Sequence, residues 1–112
     1  SNIQDQFVLL TVCGYPLKIG NRVTIGLGSI VHGCTIADEV LIGMGAIVLN
    51  GACIGSHSII GAGCVVPENM VIPQRSVVVG VPAKIIKKTS ESQVSDILSN
   101  ADHYVKLSKK LD

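Results

Sequence analysis

The hydrophobic positions of this chain repeat every six residues from Ile19 to Val77. Every step between leading aliphatic residues is six residues long, except the five-residue step from Val31 to Ile36. The leading residues are Ile19, Ile25, Val31, Ile36, Ile42, Val48, Ile54, Ile60, Val66 and Ile72. This period matches neither the repeat of a helix nor the two-residue alternation of a strand. It predicts a solenoid with three flat faces, one hexapeptide on each face and about eighteen residues in each coil.

A second set of positions predicts the corners of the coil. Four residues after each leading aliphatic, the side chain is nearly always small or β-branched, which lets the chain turn. These residues are Val23, Ser29, Thr35, Val40, Ala46, Ala52, Ser58, Cys64, Met70 and Ser76. The five-residue step is either a tolerated deletion or a corner altered for function, because irregularities in regular scaffolds tend to lie at functional sites.

The residues before Ile19 continue the pattern less regularly. Ile3 and Leu9 are expected to be ladder positions of an earlier coil, whereas Gly14 and Pro16 predict a loop that protrudes between two coils. A solenoid needs covered ends, because an open coil leaves strand edges unpaired. We therefore expect that further N-terminal coils are missing from this chain or that another chain covers this end.

From Ser90 the apolar positions change to a helical spacing. Ser90 and Gln93 form a capping box, in which each side chain can bind a free backbone N–H of the other residue. The sequence thus predicts an all-β solenoid over residues 1–88 and a C-terminal α-helix, within residues 89–112, that packs on the solenoid.

Composition narrows the classes of function. The 112 residues are 47% hydrophobic but only 3% aromatic, as expected for a narrow solenoid core. The net charge of +1 gives no electrostatic signature of binding to nucleic acid or to an anionic membrane. No apolar run has the length of a transmembrane helix. The four cysteines form no C-x-x-C pair, which argues against a zinc ribbon and favours free thiols in a reducing compartment. The expected location is the cytoplasm, or alternatively the mitochondrial matrix.

Three stretches together resemble the γ-class carbonic anhydrases and their relatives. They are Asn-Ile-Gln-Asp at residues 2–5, Ile-Gly-Leu-Gly-Ser-Ile-Val-His-Gly-Cys-Thr-Ile at 25–36, and Ile-Gly-Met-Gly-Ala at 42–46. This resemblance to a hexapeptide-repeat family implies a left-handed parallel β-helix and a homotrimer. It also implies a divalent metal, usually zinc, bound between subunits by three histidines, with a coordinated water that attacks CO2.

The family's functional residues match this chain only in part. Of the three histidine positions only His32 is retained, because Leu10 and Leu27 occupy the other two. Gln4 matches the glutamine that orients the metal-bound water, and Asp5 matches a structural carboxylate that pairs with an arginine upstream. Since leucine cannot coordinate zinc, no cofactor is expected unless cysteines near His32, Cys13 or Cys34, rescue the site.

Three functions remain open from the sequence. The first is a trimeric scaffold or binding protein with a degenerate metal site, which could be a subunit of a larger assembly. The second is an active zinc-dependent carbonic anhydrase. The third is a hexapeptide acyltransferase that uses an acyl-coenzyme A donor and His32 as general base, favoured by the Gly-Val-Pro-Ala-Lys segment at residues 80–84. Nucleic acid is not an expected partner.

Overall fold

The computed structural model describes the backbone of residues 2–3 and 8–9 and all of residues 15–99. Its strands are short, and all but the last pair are parallel. They are β1 (Asn2–Ile3), β2 (Val8–Leu9), β3 (Lys18–Ile19), β4 (Thr24–Ile25), β5 (Ile30–Val31), β6 (Thr35–Ile36), β7 (Leu41–Ile42), β8 (Ile47–Val48), β9 (Cys53–Ile54), β10 (Ile59–Ile60), β11 (Val65–Val66), β12 (Val71–Ile72), β13 (Ser76–Val79) and β14 (Lys84–Lys88).

Every third strand joins the same sheet, so the chain winds around a core with three faces. The first face has the order β1-β4-β7-β10-β13-β14, the second β11-β8-β5-β2 and the third β12-β9-β6-β3. This arrangement confirms the predicted parallel β-helix.

The register of the strands confirms the ladders. On the first face Ile3 pairs with Ile25 and Ile25 with Ile42, and on the second face Leu9 pairs with Val31. The leading aliphatics from Ile25 onwards are buried, and together with the apolar corner residues they form one continuous core. Stacking equivalent residues of successive coils therefore removes a single apolar column from water, which is the main stabilising contribution of this fold.

One corner residue differs from the prediction. Thr35 is exposed, and Cys34, only 1% exposed, fills the corner position instead. The reason is the register of β6, in which Thr35 pairs with Lys18 and Cys53 and so projects outward like them. The step from Val31 to Ile36 is one residue short. The corner position therefore lies two residues before Ile36 and not four residues after Val31.

The five-residue corner accommodates the end of the preceding loop. A β-carbon on Gly33 would lie 1.9 Å from the carbonyl oxygen of Tyr15, so the Tyr15 backbone passes directly over this glycine. The amide of Gly33 donates to Oδ1 of Asn50 at 3.1 Å, and its carbonyl accepts from the amide of Gly51 at 2.8 Å. The shorter corner therefore makes room for the inserted loop, of which residues 10–14 lie outside the described part of the chain.

The solenoid ends in a hairpin that the sequence did not predict. β13 pairs antiparallel with β14, with a register irregularity between Val77 and Val78. The connecting turn covers part of the last coil, because Ala83 is buried and its amide donates to the carbonyl of Val65 at 2.9 Å.

The predicted capping box is confirmed at the start of the helix. The amide of Gln93 donates to Oγ of Ser90 at 3.1 Å, and the amide of Ser90 donates to Oε1 of Gln93 at 2.9 Å. Residues 91–99 are helical, and Ile97 is fully buried. Within residues 15–99 no helix is long and apolar enough to cross a membrane.

Candidate functional site

His32 lies at the corner between the second and third faces, directly after β5. His32 is half-buried, and its backbone amide donates to the carbonyl of Val48 at 2.9 Å. The residue before it, Val31, pairs with Leu9, the residue that precedes the predicted ligand position Leu10 in the sequence. Leu10 itself, together with Gln4, Asp5 and Cys13, lies outside the described residues.

Leu27 lies at the opposite end of β5, at the corner between the first and second faces. Its carbonyl accepts from the amide of Gly45 at 3.0 Å, and its side chain is 43% exposed. The extended chain of β5, at about 3.3 Å per residue, separates it from His32. Residues at these two corners can meet at one site only if they come from two different chains.

The described donor groups do not fit a zinc ion. Within residues 15–99 no group of three histidine, cysteine, aspartate or glutamate residues is placed to hold a metal. Zinc binds the thiolate form of cysteine, but burial, with a smaller effect from nearby Cys53, raises the pKa of the Cys34 thiol to about 12. Cys34 is also only 1% exposed and packs in the solenoid core, so it is a poor replacement for a missing histidine beside His32.

The surface between these two corners is apolar. The outward residues of the second face are the half-buried Ile30, Ile47 and Val65, and the adjoining corner carries Leu27 and Met44, which is 62% exposed. We call these five residues the apolar face. This face extends along β5 from the corner of Leu27 towards the corner of His32. An apolar surface of this kind is typical of a protein contact rather than of a binding site for a charged ligand.

The third face has a different character. Its outward residues Lys18, Thr35, Cys53 and Val71 are all exposed. On the first face the outward residues Leu41 and Ile59 are apolar and half-buried, as on the second face, so the third face is the one that differs.

The remaining corner carries charged residues that the sequence analysis missed. Arg22, Glu39, His57 and Arg75 all have positive φ, between 57° and 61°. Nε2 of His57 hydrogen-bonds to Oε2 of Glu39, and Nη2 of Arg22 donates to the carbonyl of Leu98 at 3.5 Å. These residues recur once per coil. Comparing positions one full coil apart would have revealed them, whereas comparing positions six residues apart does not.

Comparison with known proteins identifies relatives across the whole described fold. A family profile described as bacterial transferase hexapeptide (six repeats) matches residues 33–68. The "Probable carbonic anhydrase" of Methanocaldococcus jannaschii is 48% identical over 112 residues, covering 100% of this chain and 70% of that protein. "Gamma carbonic anhydrase 1, mitochondrial" of Arabidopsis thaliana is 36% identical over 115 residues, covering 97% of this chain but only 42% of its own length.

A solved structure gives the same fold. A Bacillus cereus protein, provisionally assigned as an acetyltransferase, superposes with a TM-score of 0.93 at 36% identity. The match covers 99% of this chain and 67% of that one. The names of these relatives thus include both carbonic anhydrase and acetyltransferase.

Proposed function

Because the chain belongs to the γ-class carbonic anhydrase-like family of hexapeptide-repeat proteins, we propose that it acts as a trimeric scaffold or binding protein rather than as a CO2 hydratase. The observation that carries this proposal is the donor set. Leu27 and Leu10 stand at two of the three histidine positions of the family, and His32 is the single ligand that matches.

The chemistry of the substituted positions supports this assignment. A catalytic zinc site needs three protein ligands and one open position for water. A single imidazole leaves the ion without a stable coordination sphere, so the retained water-orienting glutamine, Gln4, has no metal-bound water to position. We assign Asp5 a structural role and His32 a role as a hydrogen-bonding residue at the subunit contact.

The apolar face supports the homotrimer. Leu27 and Met44 are 43% and 62% exposed in the single chain, next to a row of half-buried aliphatic residues. A neighbouring subunit that covers such a surface removes it from water, which stabilises the contact. Histidines without a metal would be left there without hydrogen-bond partners, whereas leucines at the same positions need none. Such a trimer can also serve as a subunit of a larger assembly.

The unpaired state of the described cysteines supports a proposal for the cellular compartment. Cys34, Cys53 and Cys64 are free thiols, and two of them are buried. Free thiols persist in reducing compartments. We place the protein in the cytoplasm, with the mitochondrial matrix as the alternative; a relative's name carries the latter location.

Metal content measured on the purified trimer tests the proposal. The wild-type protein, expressed with added zinc, should contain less than about a tenth of an equivalent per chain, because one histidine is too few ligands. The double variant Leu10→His/Leu27→His should bind close to one equivalent and lose it again when His32→Ala is added. Near-stoichiometric zinc in the wild type, lost in His32→Ala, would show that other residues complete the site and would establish the zinc-enzyme alternative.

Acyl transfer is the second candidate function, and the solved Bacillus cereus structure favours it. The half-buried imidazole of His32 makes no hydrogen bond to the described residues, so it is available as a general base. Release of free coenzyme A from acetyl-coenzyme A in the presence of hydroxyl or amine acceptors, abolished in His32→Ala, would support this candidate over the scaffold.

A further inference from the structure

The C-terminal hairpin concentrates positive charge at one end of the molecule. Lys84, Lys87 and Lys88 are all exposed, and residues 76–90 contain no aspartate or glutamate. Within the described part of the chain, none of the three ammonium groups is paired with a carboxylate. The net charge of +1 for the whole chain therefore conceals a local cluster of three positive charges.

Exposed aliphatic side chains lie among these lysines. Val81 is 71% exposed, Ile86 56% and Ile85 45%. The register irregularity of β14 contributes to this, because Val77 pairs with Lys87 and Val78 with Ile85, which leaves Ile86 without a partner. We call Val81, Ile85, Ile86 and the three lysines the basic tip.

We infer that the basic tip is a docking surface for anionic phospholipid membranes. Basic residues beside exposed aliphatic side chains are the combination that binds lipid headgroups and inserts shallowly at the interface. The lysine stems can lie along the apolar boundary while their ammonium groups contact phosphates.

The composition of the tip favours a lipid surface over other partners. Residues 77–88 carry no side chain that can accept a hydrogen bond and no carboxylate, so the tip offers ammonium groups for lipid phosphates but little to pair with the mixed polar groups of a protein surface. A second copy of this chain docked tip to tip would bring like charges together, which opposes such a contact.

The proposed trimer would multiply this interaction. Cyclic symmetry places equivalent residues of the three subunits at the same height along the symmetry axis, so three basic tips would face one membrane together. The simultaneous contacts would raise the overall affinity without any new residue. This increase depends on the trimer, but the chemistry of each single tip does not.

Co-sedimentation with vesicles tests the inference. The full chain should sediment with phosphatidylcholine vesicles that contain about one third phosphatidylglycerol, and not with pure phosphatidylcholine. Binding should weaken strongly near 0.5 M salt, where the Debye length falls to roughly 4 Å. Equal binding to both kinds of vesicle, or no binding to either, would overturn the inference.

Two variants and one control separate the tip from the rest of the surface. Each lysine near an anionic surface contributes about fivefold to binding, so Lys84→Ala/Lys87→Ala/Lys88→Ala should lose on the order of a hundredfold. Ile85→Ser/Ile86→Ser should also lose binding, whereas the exposed pair Lys18→Ala/Val71→Ser on the third face should bind as the wild type does. Unaltered binding by the lysine variant would refute the role of the tip.

A purely protective role of the lysines is distinguished by the same assay. Lysines and bulges also prevent edge strands from pairing with other chains, and that role alone predicts no vesicle binding by the wild type. Circular dichroism of each variant checks folding, and the salt dependence of the wild type tests the inference even if a variant fails to fold. Zinc content and oligomeric state are measured separately, so failure of the proposed function leaves this result interpretable.

Discussion

The double substitution Leu27→Ser/Met44→Ser should dissociate the proposed trimer. These two side chains are 43% and 62% exposed in the single chain, and a subunit contact across the apolar face would bury that remaining area. Full burial of such a side chain contributes about 1.5–3 kcal/mol. Scaled by the exposed fractions, the pair loses roughly 2 kcal/mol per subunit, or about 6 kcal/mol per trimer.

The consequence for assembly can be expressed as a concentration. About 6 kcal/mol corresponds to roughly four factors of ten in the association constant. For three chains forming one trimer, the midpoint concentration varies as the square root of the dissociation constant, so it should rise about a hundredfold.

Analytical ultracentrifugation over a dilution series measures this midpoint. Val71→Ser is the matched control, because Val71 is 70% exposed but lies on the third face. The control should assemble as the wild type does. A wild-type protein that stays monomeric, or a double variant with an unchanged midpoint, would show that the apolar face is not the subunit contact.

Three further predictions concern the stability of single positions. Gly33→Ala should lower the melting temperature by several degrees, because its β-carbon would collide with the Tyr15 carbonyl and overpacking costs about 1–3 kcal/mol; an unchanged transition in calorimetry would contradict this contact. Burial raises the pKa of Cys34 from 9.0 to about 12, so the unfolded state loses its proton first and the wild type should lose stability relative to Cys34→Ala as pH rises through this range. If denaturant titrations give the same change of unfolding free energy with pH for both proteins, this prediction is refuted. Ser90→Ala removes the helix cap and should speed exchange of the Gln93 amide about fivefold by NMR, whereas Ser90→Thr should keep most of the protection.

The sequence was sufficient for the ladder but not for every corner. The prediction that Ile3 and Leu9 are ladder positions is confirmed by their pairing with Ile25 and Val31, although the protruding loop interrupts the six-residue period between them. The assignment of Thr35 to a corner failed because counting forward from Val31 assumes a full step. The register of a strand depends on its neighbours in adjacent coils, and this information is absent from a single hexapeptide.

Neither the hairpin nor the charged corner could be predicted from short stretches of the sequence, for related reasons. β14 pairs antiparallel with β13 after the period has ended, and its residues, all exposed, show no alternation of apolar and polar positions. Glu39 and His57 are joined only because successive coils stack their corners. The candidate site was predicted from the resemblance; the structure adds that Leu27 and His32 occupy opposite corners.

The constant pairing along the first face has a consequence for how such a chain can change. Its strands pair Asn2 with Thr24, Thr24 with Leu41 and Leu41 with Ile59, at separations of 22, 17 and 18 residues. Insertions and deletions are therefore absorbed between strands, and the next coil starts again in the same register. A lineage can accordingly rebuild or abandon the chemistry at a corner while the rest of the fold is inherited intact, so loss of a ligand set does not require loss of the protein.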